Sequence, residues 1–170
     1  ALSTGKVDMV AAMITIQPEL EQLVAFSDAT RTNVSQVVVT GPGAPPITAV
    51  DDLAGQQVFV RKTSAYYETL TRLNEQLQAR GKPPLIIDLA PDVLEDDDVL
   101  EMVNAGLAPI TVVDDYLAEF WKQVFTNITV RRDVPLRSGG RLAVAIRMDN
   151  PELRQAVIVW LRKHGEGDAE

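Results

Sequence analysis

Cysteine is missing altogether, and histidine occurs once, at His164. The first absence excludes a disulfide framework and thiolate metal sites, and it fits either cytoplasm or periplasm. The second argues against a histidine-based metal site and against a Ser-His-Asp triad. No apolar run is long enough to span a membrane. Basic surface is scarce as well: the basic clusters are short, as at Arg131-Arg132 and Arg162-Lys163-His164, and the net charge is −8. Phosphate binding needs a basic patch, so nucleic acid is not an expected partner. A solute or peptide with a cationic group suits an acidic chain better. Internal repeats and low-complexity segments are absent too.

What is present is an ordinary globular composition, 46% hydrophobic and 24% charged over 170 residues. That is enough chain for one domain or two small lobes with a real core. ALSTGKVDM reads as the end of a helix, a Gly-Lys turn and a strand, as in the middle of a domain, and a fragment or processed chain is expected. VDMVAAM (7–13) is a nearly continuous apolar run, the pattern of a strand covered on both faces. Pro18 opens a short helix with Leu20, Leu23 and Val24 at helical spacing. SQVVVTG (35–41) is a second strand, and the Pro/Gly-rich stretch 42–55 is the expected linker.

QVFVR (57–61) is a third strand. A helix follows, with Ser64 as N-cap and Gly81 just past its end. A strand at 83–90 precedes the acidic run Glu95–Asp98, which complements the dipole of the next helix. Residues 110–115 form a strand and 116–125 a helix. Two more strands are expected, at 128–134 and 140–147. Asn150-Pro151 opens the last helix, with Leu153, Val157, Trp160 and Leu161 on one face. Trp121 and Trp160 are expected in the core. Strands alternating with helices imply an α/β chain with a mostly parallel sheet covered on both faces.

The order of the stretches L..GKVDMVAAMITIQPE, VAFSD, VDDLAGQQVFV, EMVNAG, ITVVDD and GGRLAVAIRMDNPELRQAV resembles the type II periplasmic solute-binding proteins, family 3. The likeness covers essentially the whole chain. Within the family, SAYYETLTRLNEQL, LEMVNAGLAPITVVDDYLAEFW and AIRMDNPEL look most like the solute-binding module of membrane-bound lytic murein transglycosylase F. The resemblance implies a periplasmic-binding-protein type II-like fold with two α/β lobes: residues 1–40 and 137–165 as lobe 1, 43–134 as lobe 2, and 166–170 as a tail. It implies that lobe 1 lacks its first strand–helix–strand unit and that unpaired edges remain; either a partner chain covers them or another segment rearranges, and a homodimer, with or without exchanged elements, is expected. It also implies a periplasmic location, a membrane-anchored parent protein, and a small-molecule or peptide ligand between the lobes. No cofactor is implied, and any transglycosylase chemistry belongs to a domain outside this chain.

Such a site draws on strand ends and helix N-termini. In similar amino-acid binders the residue matching Thr15 hydrogen-bonds the ligand, and an arginine a few positions on clamps its α-carboxylate. Here that position is Leu20, which cannot replace a guanidinium; Arg31 is the nearest alternative in sequence. Thr63, Ser64 and Tyr66 open a helix where hydroxyls and free N–H groups can meet a carboxylate, although Ser64 equally serves as a simple N-cap. Asp114, at a strand end, aligns with the family's aspartate that pairs with a ligand ammonium. Asp115 is more simply a helix cap. Two rivals to a binding module stand: a degenerate dimerisation scaffold, and the effector-binding domain of a transcription regulator. An enzyme has least support, since no nucleophile–base pairing or cofactor loop is present.

Overall fold

The computed structural model of the protein describes residues 2–164. The tail expected at 166–170 lies outside the described residues. The chain divides into two compact units, residues 1–34 with 139–170, and residues 35–138. It passes from one to the other within β3 (Arg31–Thr40) and returns within β7 (Thr129–Ile146).

In the first unit, β1 (Met9–Thr15) and β2 (Ala25–Phe26) both pair antiparallel with the end of β7. Between them lies α1 (Pro18–Glu21), a single turn with proline where no N–H is required. Leu2, Phe26, Ala143 and Ala145 form a small core, against which Ile14, Leu20 and Val24 pack half-buried. Leu20 therefore has a packing role in this unit. β1 lies at the edge of its sheet, with β7 the one strand beside it among the described residues, and Met9 at its start is 40% exposed.

The last helix, α5 (Pro151–His164), buries Ile158 and half-buries Leu153, Val157 and Leu161. Trp160 is not in the core. It is 59% exposed and stacks on His164 with 4.8 Å between ring centroids. A helix of this length has room for one buried stripe, and Ile158 sets it two residues before Trp160, on nearly the opposite side of the helix. Arg154 ties α5 to β2, its Nε donating to the Phe26 carbonyl at 2.8 Å.

The second unit holds the larger core. β3 pairs antiparallel with β6 (Ile110–Asp114), and β4 (Gln57–Arg61) pairs parallel with β5 (Ile86–Ala90). β4 lies beside β6, where the Thr111 hydroxyl donates to the Phe59 carbonyl at 2.7 Å. β6 is buried at every position, so its run of apolar residues needs no alternation. α2 (Ala65–Ala79) buries Tyr66, Leu70, Leu73 and Leu77, a spacing of three and four that makes one stripe. Gly81 follows its C-cap with φ 71°, the left-handed conformation that glycine adopts without a Cβ clash. α3 (Asp96–Asn104) buries Val99, Leu100 and Val103, and α4 (Asp115–Trp121) buries Ala118. Trp121 is half-buried against this core. At the end of β3 a Cβ on Gly41 would lie 2.3 Å from the Val103 carbonyl oxygen, so only glycine allows this approach.

Two expectations are corrected. The sheet is not mostly parallel: among the described pairings β1–β7, β2–β7 and β3–β6 are antiparallel, and β4–β5 is parallel. Alternation fixes the sense of strands joined by a crossover helix, and these antiparallel partners are far apart in sequence. The strands expected at 128–134 and 140–147 are one continuous strand of 18 residues. Gly139 takes φ 73° inside it, yet the chain does not reverse there. No helix among the described residues is long and apolar enough to cross a membrane.

Candidate functional site

β6 runs directly into α4, and Asp114 sits at the junction as the helix N-cap residue. A carboxylate at that position ordinarily accepts a backbone N–H of the first turn. Asp114 makes no such side-chain bond. The neighbouring Asp115 takes the local role instead, accepting from the Tyr116 N–H at 2.9 Å. The Asp114 carboxyl is thus left over from capping, yet the residue is only 6% exposed.

The surroundings explain its protonation. Burial, with Asp96 and Asp115 nearby, pushes the Asp114 carboxyl up to about 7; Arg137 and the Tyr66 hydroxyl pull the other way. Tyr66 links two elements: its hydroxyl accepts from the Asp114 N–H and donates to Asp96 Oδ2, both at 3.3 Å. Burial raises the Tyr66 phenol well above its ordinary value, so it stays a donor at any physiological pH. Asp96 also pairs with the Arg61 guanidinium, and Glu95 reaches the same arginine at 3.5 Å. Arg61 Nε is buried and has no partner among the described residues. The ensemble is a buried carboxyl whose protonated form is favoured, beside an ion pair, with a phenol between them.

The other sequence-expected residues occupy different settings. Ser64 caps α2, accepting from the Tyr67 N–H at 3.4 Å and donating to the Arg61 carbonyl at 2.8 Å. Thr63 is exposed and donates to Asp92 Oδ1 at 3.1 Å. Thr15 is half-buried on β1, opposite Leu142, and belongs to the first unit. Tyr66 and Asp114 are therefore joined by a hydrogen bond, while Thr63 and Ser64 are engaged locally. Arg31 lies exposed at the start of β3. The acidic run Glu95–Asp98 does more than complement a helix dipole. Asp98 Oδ2 accepts from the Glu95 N–H at 2.8 Å, and Asp96 turns to Arg61 and Tyr66. Among the described residues no three His, Cys, Asp or Glu side chains are placed to hold a metal ion.

Arg61, Asp96 and Arg137 were not singled out by sequence reasoning. The only signal for the first two was charge: a basic residue ending β4, and an acidic one at the start of α3, the helix after β5. Which of the acids in that run pairs with it depends on helix rotation.

Comparison with known proteins gives this arrangement a context. Bacterial extracellular solute-binding proteins, family 3, match residues 1–166. Membrane-bound lytic murein transglycosylase F of Pseudomonas syringae pv. syringae (strain B728a) is 31% identical over 145 residues, 85% of this chain and 28% of that protein. The same protein of Maricaulis maris (strain MCS10) is 28% identical over 142 residues, 79% of this chain and 28% of that protein. The chain thus spans less than a third of the length of these relatives. Among solved structures, the substrate-binding protein of an amino acid ABC transporter superposes with a TM-score of 0.75 at 25% identity, covering 98% of this chain and 70% of that one. An ancestral arginine-binding protein bound to arginine gives 0.77 at 22% identity, covering 97% and 70%. The solute-binding motifs, the mixed α/β architecture and a match over nearly every residue agree. This chain belongs to the bacterial extracellular solute-binding proteins, family 3.

Proposed function

We propose that this chain is a periplasmic solute-binding module whose ligand carries an ammonium group held at Asp114. The observation that supports the reading is the Asp114 carboxyl itself: buried at a strand end, unused in capping, and under pressure from two neighbouring acids. An ammonium supplies the positive charge that this group lacks and donates the hydrogen bonds that it can accept. Thr15, Thr63, Ser64 and Tyr66 are further ligand contacts in this reading, with Thr63 and Ser64 exchanging local bonds for the ligand. Leu20 leaves the α-carboxylate without its usual clamp. A cell-wall-derived peptide or an amino acid derivative therefore suits the site better than a simple free amino acid. The likeness to transglycosylase F supports a parent protein anchored at the membrane, in which this module senses such fragments. In this reading the signal is the difference between the ligand-free and ligand-bound conformations.

Thermal unfolding with the twenty common L-amino acids and the tripeptide L-Ala-γ-D-Glu-meso-diaminopimelate tests the reading. A ligand at a hundred times its Kd stabilises by about 2.7 kcal/mol, which is roughly 5–10 °C in a chain of this size. Asp114→Ala is expected to abolish the shift. A second reading, the dimerisation scaffold, is favoured by β1, an edge strand with Met9 exposed. No shift with any compound, together with a dimer in light scattering at low concentration, would decide for the scaffold.

A further inference from the structure

Gln36 lies directly opposite Asp114 in the antiparallel pairing of β3 with β6. Directly opposed residues project to the same face, with Cβ atoms about 4.5–5.5 Å apart. Gln36 is 3% exposed, and its Oε1 is buried with no hydrogen-bond partner among the described residues. A buried amide oxygen without a donor is costly, and native chains rarely keep one. Its nearest carboxyl neighbour across the ladder is an acid that also lacks a capping partner. An acceptor that needs a donor thus stands across the ladder from a buried carboxyl whose surroundings favour its protonated form.

We infer, building on the proposed function, that Gln36 and Asp114 act as one unit: Gln36 Oε1 accepts from the Asp114 O–H in the empty site and from the ligand ammonium in the filled one. Two acceptors side by side select an ammonium, which has several N–H donors, over a hydroxyl, which has one. Binding is then an exchange. The ammonium enters, the Asp114 proton leaves to solvent, and the pair keeps one positive donor between two acceptors. The other groups that face Asp114 are Asp96 and Asp115, which favour the proton, and Arg137 and the Tyr66 hydroxyl, which oppose it. Arg61 acts at one remove, through Asp96.

The test uses the full chain with Gln36→Leu, which keeps the volume and removes the acceptor. The Asp114 titration midpoint, followed by carboxyl-carbon NMR, is expected to fall by about 0.7 pH unit, the equivalent of one neutral hydrogen bond lost from the protonated form. In the ligand-free protein Gln36→Leu is expected to lower Tm at pH 5 and to leave it unchanged or raised at pH 8.5. There the ionised acid can donate nothing to Gln36. A purely structural glutamine would lower Tm equally at both pH values and leave the midpoint in place, and that result would overturn the inference. For any amino acid or peptide that the wild type binds, Gln36→Leu is expected to weaken affinity about tenfold. Unchanged affinity beside a loss in Asp114→Asn would sink the Gln36 role and leave the ammonium site standing. If the wild type binds none of the compounds, the solute reading fails, and the midpoint shift still decides whether the pair exists.

Discussion

Replacing Asp114 with asparagine removes one ionisable group and keeps its shape. The carboxyl is raised from 3.8 to about 7 by the fold. Between those values the folded chain holds a proton that the unfolded chain has released. Stability therefore falls as pH rises from about 4 through about 7, and the loss is complete above that. At about 1.4 kcal/mol per pH unit, a rise of this size costs on the order of 4 kcal/mol. For a 170-residue chain one kcal/mol corresponds to roughly 2–4 °C in Tm. Asp114→Asn should thus stay close to wild type at pH 4 and gain on it steadily, with the gap widening by roughly 10 °C at pH 8.5. Scanning fluorimetry at half-unit intervals reads this directly. Both proteins should carry His164→Gln, which removes the only imidazole of the chain and leaves the window clear. Two melting curves that run parallel from pH 4 to pH 8.5 would refute the argument, since they would mean that Asp114 ionises in the fold as freely as in water.

Further outcomes follow from the same geometry. Ser64→Ala removes the cap of α2 and should cost about 1 kcal/mol, read as a fall in the urea midpoint at constant slope. Gly41→Ala places a Cβ against the Val103 carbonyl and should cost about 1–3 kcal/mol, seen in the same titration. The affinity for any amine-bearing solute should climb as pH rises towards about 7 and level off above it, with close to one proton released per ligand bound on the acid side and almost none on the alkaline side. Calorimetry in buffers of different ionisation enthalpy would show this, and a flat affinity would argue that no proton is displaced.

Much of the architecture was readable in the residues because local chemistry wrote it there. Ser64 and Gly81 bracket α2 for reasons of capping and φ, and neither depends on the rest of the fold. Sheet sense was not readable. Thr15 meets Leu142, and Gln36 meets Asp114, through pairings that no short window contains. The unbroken course of β7 was hidden by Gly139-Gly140, which looks like a turn and here only bends a strand. Trp160 misled because aromatic residues on an amphipathic helix usually face inward, whereas Ile158 took the inner position. Around Asp114 the sequence offered the acid and the tyrosine, the former through family resemblance. Asp96, Arg61 and Gln36 reach the same neighbourhood from three other elements, and only the packing of those elements brings them there.

The division of the chain has a consequence for its birth on the ribosome. Residues 35–138 form one uninterrupted segment with the larger core, so this unit can close as soon as it has emerged. The other unit must wait. Ser27 receives its hydrogen bond from the Val144 N–H, 117 residues later, and β1 and β2 both need the end of β7 as their partner. At a synthesis rate of about 5–20 residues per second, the early strands spend roughly five to twenty-five seconds with apolar edges unmatched. Arrest of translation just after Ser138 should leave residues 35–138 folded, with β1 and β2 still open and protease-sensitive.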